Sequence, residues 1–229
     1  MDFCFAGVYN SINDIIFLRM VILKVKKLYP LLLIILVLTF CGCITIQTQE
    51  PLNSAVKSSK PSDATLLLNI SNNVLNALKN KDMDTFIGYV DPDKGVRFTP
   101  YAYVEVDKNI VLNIDELKDA FNSTKLYIWG VTDGKGDNIN LTFSDYYAKY
   151  IYDVDFINAP LIGNNVSIGT GNSIDNAKDV YKDAKIIEYH FQGFDPQYEG
   201  MDWRSLRLVF EEKDSNWYIV GVIHDQWTI

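Results

Sequence analysis

The last 45 residues constrain the fold most. Three runs there, 185–192 (KIIEYHFQ), 203–212 (WRSLRLVFEE) and 217–226 (WYIVGVIHDQ), are dense in β-branched and aromatic residues and alternate as strands do. The polar break at 213–216 (KDSN) is short enough to close the second and third into a β-hairpin. A chain that ends this way must build an antiparallel sheet, and such a sheet needs another layer over its apolar face.

The covering layer is encoded upstream. Ser62 and Asp63 are candidate N-caps, followed by Leu67, Ile70, Val74, Ala77 and Leu78 at helical spacing. Asp82 is placed to cap a second, short helix through Tyr89, with Met83, Phe86 and Val90 as its apolar stripe, and 91–95 (DPDKG) forms a turn. The chain then extends over 96–98 and 101–106. Asn113 with Glu116 has the spacing of a capping box for a helix through Phe121, 125–131 (KLYIWGV) is a strand, and Thr142 with Asp145 opens another helix. Between 153 and 184 the pattern is broken by Pro160, Gly163, Gly169 and Gly171. Helices first and strands last make an α+β domain over 62–229, with N-terminal helices packed on an antiparallel sheet.

The N-terminal end carries different information. Of 229 residues 48% are hydrophobic and 22% charged, an ordinary globular balance, and the net charge of -8 argues against a nucleic-acid binder working through a broad basic surface. That charge is unevenly spread: residues 1–42 hold Arg19, Lys24, Lys26 and Lys27 against Asp2 and Asp14, leaving 17 basic and 27 acidic side chains on the remainder. Residues 28–40 (LYPLLLIILVLTF) form an uncharged apolar run directly behind three lysines, the layout of a secretory leader. Read from Met20 the leader is short and purely basic, so translation is expected to begin there.

Residues 40–43, FCGC, resemble the lipobox of prokaryotic lipoproteins, with Cys43 as the lipid acceptor; Phe40 and Cys41 depart from its usual Leu and Ala or Ser. The resemblance implies a signal peptide over 1–42, an acylated Cys43, a lipid-anchored tether over 43–61 and a domain facing the extracytoplasmic side. All three cysteines lie in the first 43 residues, so cleavage before Cys43 leaves one cysteine, consumed by lipid, and no disulfide. The alternative is an uncleaved anchor helix, since 28–46 approaches the roughly 20 residues needed to span a bilayer. Either way the lysines stay inside and the bulk of the chain goes out.

Within the domain, NVLNALKNKDMDTFIGYVDPDKGVRF and SLRLVFEEKDSNWYIVGVIHDQW resemble the nuclear-transport-factor-2-like superfamily. That implies helices packed into the concave side of a curved antiparallel sheet, forming a cone with a pocket. The superfamily includes cyclases, isomerases, epoxide hydrolases and non-catalytic binding modules, so fold alone does not choose a function.

Candidate residues follow from strand alternation. Glu188, His190, Arg207 and His224 converge on one face if the register allows, and a histidine oriented by a carboxylate is the usual acid–base arrangement, with Glu188 or Asp225 as the orienting group. The bland alternative is a solvated sheet face with satisfied ion pairs. Residues 193–204, including Asp202, Trp203 and Arg204, have the composition of a loop at a pocket mouth, and Arg97, Tyr101 and Tyr103 sit either in the core or at a ligand.

The pairs Asp91/Asp93, Asp133/Asp137 and Asp153/Asp155 have oxygen-ligand spacing, but none completes a calcium loop, and no metal or other cofactor is expected. The leading expectation is a membrane-anchored lipoprotein whose domain binds a small ligand or a cell-surface partner without catalysis. The competing one is a hydrolase or isomerase with His190 or His224 as base. A third is an envelope protein that uses its acidic surface to bind cations or cell-wall polymers.

Overall fold

A computed structural model describes residues 62–228. The leader, Cys43 and the tether lie outside the described residues. Among those described, no helix is long and apolar enough to cross a membrane.

Helix α1 spans Asp63–Asn80. The Thr65 backbone N–H donates to the Ser62 Oγ at 3.3 Å at its start. At its end Lys81 turns left-handed (φ 55°) and donates its N–H back toward Ala77 and Leu78. One stripe, Leu67, Val74, Leu75 and Leu78, is fully buried. The second helix, α2, is Met83–Ile87, capped by Asp82 as expected. It stops short of Tyr89 because the backbone there leaves to pair with the sheet: Ile219 N–H donates to the Tyr89 carbonyl at 2.7 Å.

Six strands form the main sheet, in the order β2-β1-β8-β7-β6-β5, where β1 is Val96–Thr99, β2 Val111–Leu112, β5 Leu161–Asn164, β6 Lys185–Phe191, β7 Arg204–Lys213 and β8 Asn216–Gln226. All neighbours are antiparallel except β1 and β8. The expected hairpin turn is present, with Asp214 and Ser215 both at positive φ (51° and 61°), the backbone hand that matches strand twist. A helix α3, Ile114–Lys118, starts on the expected Asn113/Glu116 capping box. A separate hairpin joins β3, Tyr127–Val131, to β4, Asn138–Leu141, and leads into α4, Phe143–Tyr150, through the Thr142 cap.

Three expectations change. Residues 101–106 are not a strand but a loop, held by the Arg97 guanidinium, which donates to the Val106 carbonyl at 2.7 Å and the Asn109 carbonyl at 3.1 Å. β4 emerges as a strand after the glycine turn. The weakly patterned stretch contributes β5, an edge strand, and a short helix α5, Ala177–Val180.

Register decides which side chains share a face. Ile187, Leu208 and Val222 lie side by side, as do Tyr189, Leu206 and His224. This face meets α1, where Ser71 Oγ and Tyr189 Oη are 2.8 Å apart. Its outer end is filled by aromatics: Phe98, Trp129, Phe143 and Tyr146 pack together, with Trp129 stacked on Tyr146 at 3.9 Å and 15°. Side chains from β1, the β3–β4 hairpin and α4 thus pack into one buried core with the α1 face of the sheet.

The opposite face carries a smaller apolar cluster, Val104, Ala177, Ala184, Ile186, Val209, Val220 and Ile223, under the 165–184 segment. A bulge on β8 leaves Val220 without a cross-strand partner between the Val209–Gly221 and Phe210–Ile219 pairs. The bulge shifts the phase of alternation, so Val220 and Gly221 both face this second cluster while Ile219 and Val222 face the main core.

Candidate functional site

The cross-strand pairs Glu188–Arg207 and His190–Ser205–Asp225 put these five side chains on the face away from α1. His224 leaves the expected set and Asp225 joins it, because the hairpin register pairs His224 with Leu206. The set is not a solvated face either. Glu188 and Ser205 are fully buried and Arg207, Asp225 and His190 nearly so, beneath the 165–176 segment.

Glu188 anchors that segment. Ile168 N–H donates to its Oε2 at 2.7 Å, and Gly169 N–H to its Oε1 at 2.9 Å. Residue 169 must be glycine, since a Cβ there would lie 2.5 Å from Ser205 Oγ and 2.9 Å from the Trp203 ring. Arg207 sits among three carboxylates: Nη1 is 2.9 Å from Asp225 Oδ2, and Nε is 3.4 Å from Glu188 Oε2 and 3.9 Å from Asp175 Oδ2. Its Nη2 donates to the Gly169 carbonyl at 3.1 Å.

One guanidinium cannot balance two buried carboxylates, Glu188 and Asp225, with a third, Asp175, at the surface beside them. Burial pushes the Asp225 carboxyl up to about 6, Glu188 adds to the rise, and Arg207 and His224 only partly oppose it. Burial lowers the Arg207 guanidinium, but Glu188, Asp225 and Asp175 outweigh it, so Arg207 stays charged.

A relay runs from this cluster to His190. Ser205 Oγ–H donates to Glu188 Oε1 at 2.6 Å, and Ser205 Oγ lies 2.8 Å from His190 Nδ1. Two backbone N–H groups and a guanidinium already converge on Glu188, which therefore accepts from the serine. The serine oxygen then accepts from Nδ1–H, leaving Nε2 as the ring's open nitrogen. Burial holds the imidazole below its usual value, with Arg207 acting the same way and Glu188 against it. His190 lines a cleft of about 260 Å³ with Ile168, Thr170, Gln192 and Trp203.

His224 is fully buried on the α1 side. Its Nδ1 is 3.2 Å from the Pro100 carbonyl and its Nε2 3.3 Å from Asp153 Oδ1. Arg204 Nε donates to the other Asp153 oxygen at 3.0 Å. Burial raises the Asp153 carboxyl, but His224 and Arg204 together hold it below the usual value. This triad ties the 151–155 turn to β7 and β8, a structural role for both His224 and Arg204.

Asp202 is likewise structural, accepting from the N–H groups of Phe194 and Asp195 at 3.0 and 2.8 Å. Trp203 is buried over Gly169 and Gly171 and stands 5.7 Å from the His190 ring. Arg97 serves the 101–110 loop.

The aspartates of the 91/93 and 153/155 pairs are engaged with the protein itself. Asp91 accepts from the N–H groups of Asp93 and Lys94, and Asp155 pairs with Lys79. Among the described residues no group of three or more His, Cys, Asp and Glu side chains is arranged to hold a metal ion.

A larger cleft, about 430 Å³, lies elsewhere, between the loop after β1, the β3–β4 hairpin and residues 173–174. Tyr101, Tyr103, Glu105, Asn109, Val131, Asp133 and Ile174 are among its walls. Tyr103, Val131 and Ile174 are 51%, 48% and 72% exposed. Burial pushes the Tyr101 phenol up to about 12, with its hydrogen bond to Tyr150 adding to the shift. Glu105 pairs with Lys108 at 2.7 Å on the rim.

Alternation along the strands puts Ser205 on the side of Arg207 but gives no signal that singles it out. Val131 and Ile174 come from separate segments that only the fold brings to one cleft.

No family model and no curated protein matches the chain. Solved structures do show likeness. A chain designated Rd1NTF2_05, bearing several substitutions, is 14% identical over 72% of this chain and 99% of its own, with a TM-score of 0.31. One described as a calcium/calmodulin dependent protein kinase II association domain from Xanthomonas campestris is 12% identical over 76% and 92%, with a TM-score of 0.31. An NTF-2-like protein of unknown function from Shewanella oneidensis MR-1 is 10% identical over 73% and 100%, with a TM-score of 0.28. The α+β class stands on this chain's own topology: the longer helices α1 and α4 on one face of a curved, mostly antiparallel sheet.

Proposed function

We propose that the protein is a membrane-tethered extracytoplasmic lipoprotein whose α+β domain binds a small ligand, without catalysis, in the cleft walled by Tyr101, Tyr103, Val131 and Ile174. The observation that carries the binding reading is the convergence of three large, half-exposed or more exposed apolar side chains on one concavity of about 430 Å³, beside Asn109, Glu105 and Asp133. Scattered exposed apolar groups are ordinary, but several gathered around a concave site with a few polar groups are what ligand pockets present. The tether reading is supported by the basic cluster, the apolar run and the Gly42–Cys43 pair.

Binding is tested by thermal shift of the full chain against a panel of small metabolites. A ligand at 100 times its Kd adds about 2.7 kcal/mol and raises Tm by several degrees. The shift should vanish in Tyr103→Ala/Ile174→Asp, whose parent side chains are 51% and 72% exposed, so unliganded stability should change by less than about 1 kcal/mol. A shift that survives in the double variant would move the site elsewhere.

Anchoring is tested by mass spectrometry of the membrane fraction. The expected species begins at Cys43 and carries acyl chains, each buried methylene contributing about 0.8 kcal/mol to membrane attachment. An intact leader or an unmodified Cys43 contradicts it.

A further inference from the structure

We propose that His190 is the general base of a second site, on the sheet face opposite α1, that hydrolyses small neutral esters. This site is separate from the 430 Å³ cleft and does not depend on that cleft binding a ligand.

The inference rests first on proton bookkeeping. The Glu188–Ser205–His190 chain, at 2.6 and 2.8 Å, commits Nδ1 as a donor and leaves the Nε2 lone pair open. That order is set at Glu188, which already accepts from two backbone N–H groups beside a guanidinium and so accepts from Ser205 as well. A histidine used only for packing needs no buried carboxylate behind a buried hydroxyl, and the arrangement resembles the orienting group, base and reacting proton of general-base sites. Ser205 is not the nucleophile, because it is fully buried and its own proton is committed to Glu188.

The second support is the wall chemistry. The cleft of about 260 Å³ beside His190 is lined by Ile168, Thr170, Gln192 and Trp203, none of them charged. The lining therefore suits a neutral ligand, and the Thr170 hydroxyl and Gln192 amide are donors for a carbonyl oxygen. The charged groups on this face stand behind the ring: Glu188 on β6, Arg207 on β7, Asp225 on β8 and Asp175 on the covering segment.

The step balances without a co-reactant other than water. Nε2 takes a proton from water as its oxygen bonds to the ester carbon, and the imidazolium so formed is stabilised through Ser205 by Glu188. Collapse breaks the bond to the alkoxide, which takes the proton back from Nε2. One ester and one water give one acid and one alcohol.

The chain contains only two histidines, and His224 is fully buried, which makes the test clean. The probe is p-nitrophenyl acetate, with the full chain in detergent. The rate should exceed that of an equal concentration of neutral imidazole and rise with pH through an inflection below 6.5. Single carbethoxylation of His190 by diethyl pyrocarbonate should abolish it, with recovery in hydroxylamine. His190→Gln should lower the rate at least about 100-fold. Ser205→Ala should move the inflection to lower pH, because the imidazolium loses its link to Glu188, while Ser205→Thr retains it. A rate no greater than that of imidazole, or one unchanged by modification of His190, overturns the proposal.

Discussion

An Arg207→Met variant is expected to lose about 3–5 kcal/mol of folding stability at pH 7 in urea denaturation, the largest electrostatic effect in the domain. The residue is 1% exposed, and its removal strands Glu188 and Asp225, 0% and 3% exposed, without their cation. Glu188 and Arg207 also hold the 165–176 segment against the sheet, through Glu188 to Ile168 and Gly169 and through Arg207 to Gly169. That segment should therefore lose amide protection first.

The effect is pH-dependent, and its sign follows from Asp225. Its folded value, about 6, lies above the ordinary 3.8, so the folded state holds a proton that the unfolded state has released. The stability this group contributes is complete below about 3.8 and is lost as pH rises through about 6, a change on the order of 3 kcal/mol at 1.36 kcal/mol per unit. The Arg207→Met deficit should shrink as pH falls from 7 toward 5, because Asp225 takes a proton in place of its cation. A deficit that is constant over that range contradicts the assignment of Asp225. Replacing Arg207, Glu188 and Asp225 together by Met, Gln and Asn should recover part of the loss.

Trp129→Ala is expected to cost about 3–5 kcal/mol, from the opposite face. The indole is fully buried, stacks on Tyr146 at 3.9 Å, and donates from Nε1 to the Leu141 carbonyl at 3.0 Å. It joins the β3–β4 hairpin both to itself and to α4, and the hairpin is hydrogen-bonded to no strand of the main sheet. Loss of the ring should free the hairpin before the rest unfolds. Because Val131 and Asp133 wall the 430 Å³ cleft, ligand binding there should weaken as well. A loss under 1 kcal/mol in urea titration contradicts the picture of an aromatic cluster that holds the hairpin to the core.

The elements with strong local signals were legible in the sequence. The caps at Ser62, Asp82, Asn113 and Thr142 all hold as written, as do the three closing strands. The loop at 101–106 was not, because β propensity in Tyr103 and Val104 does not supply a strand partner, and Arg97 claims the surrounding carbonyls instead. β5 was not either: its four residues pair along an edge, and only β6 gives them their register.

The polar set shows the same division. Alternation placed Glu188, His190 and Arg207 on one face, but whether His224 or Asp225 completed it depended on how the hairpin aligned. Burial of that set by the 165–176 segment rests on Gly169 approaching Ser205 and Trp203, a contact between residues far apart in the chain. The cleft was least legible, since its walls come from three segments and its apolar members carry no motif.

The cleft walled by Tyr103 and Ile174 is expected to hold a small molecule. Native mass spectrometry of the protein taken from its own membranes tests it most directly. The wild-type chain should carry a non-covalent small-molecule adduct, beyond any acyl chains, that Tyr103→Ala/Ile174→Asp lacks. The same adduct on both proteins, or none on either, would contradict it.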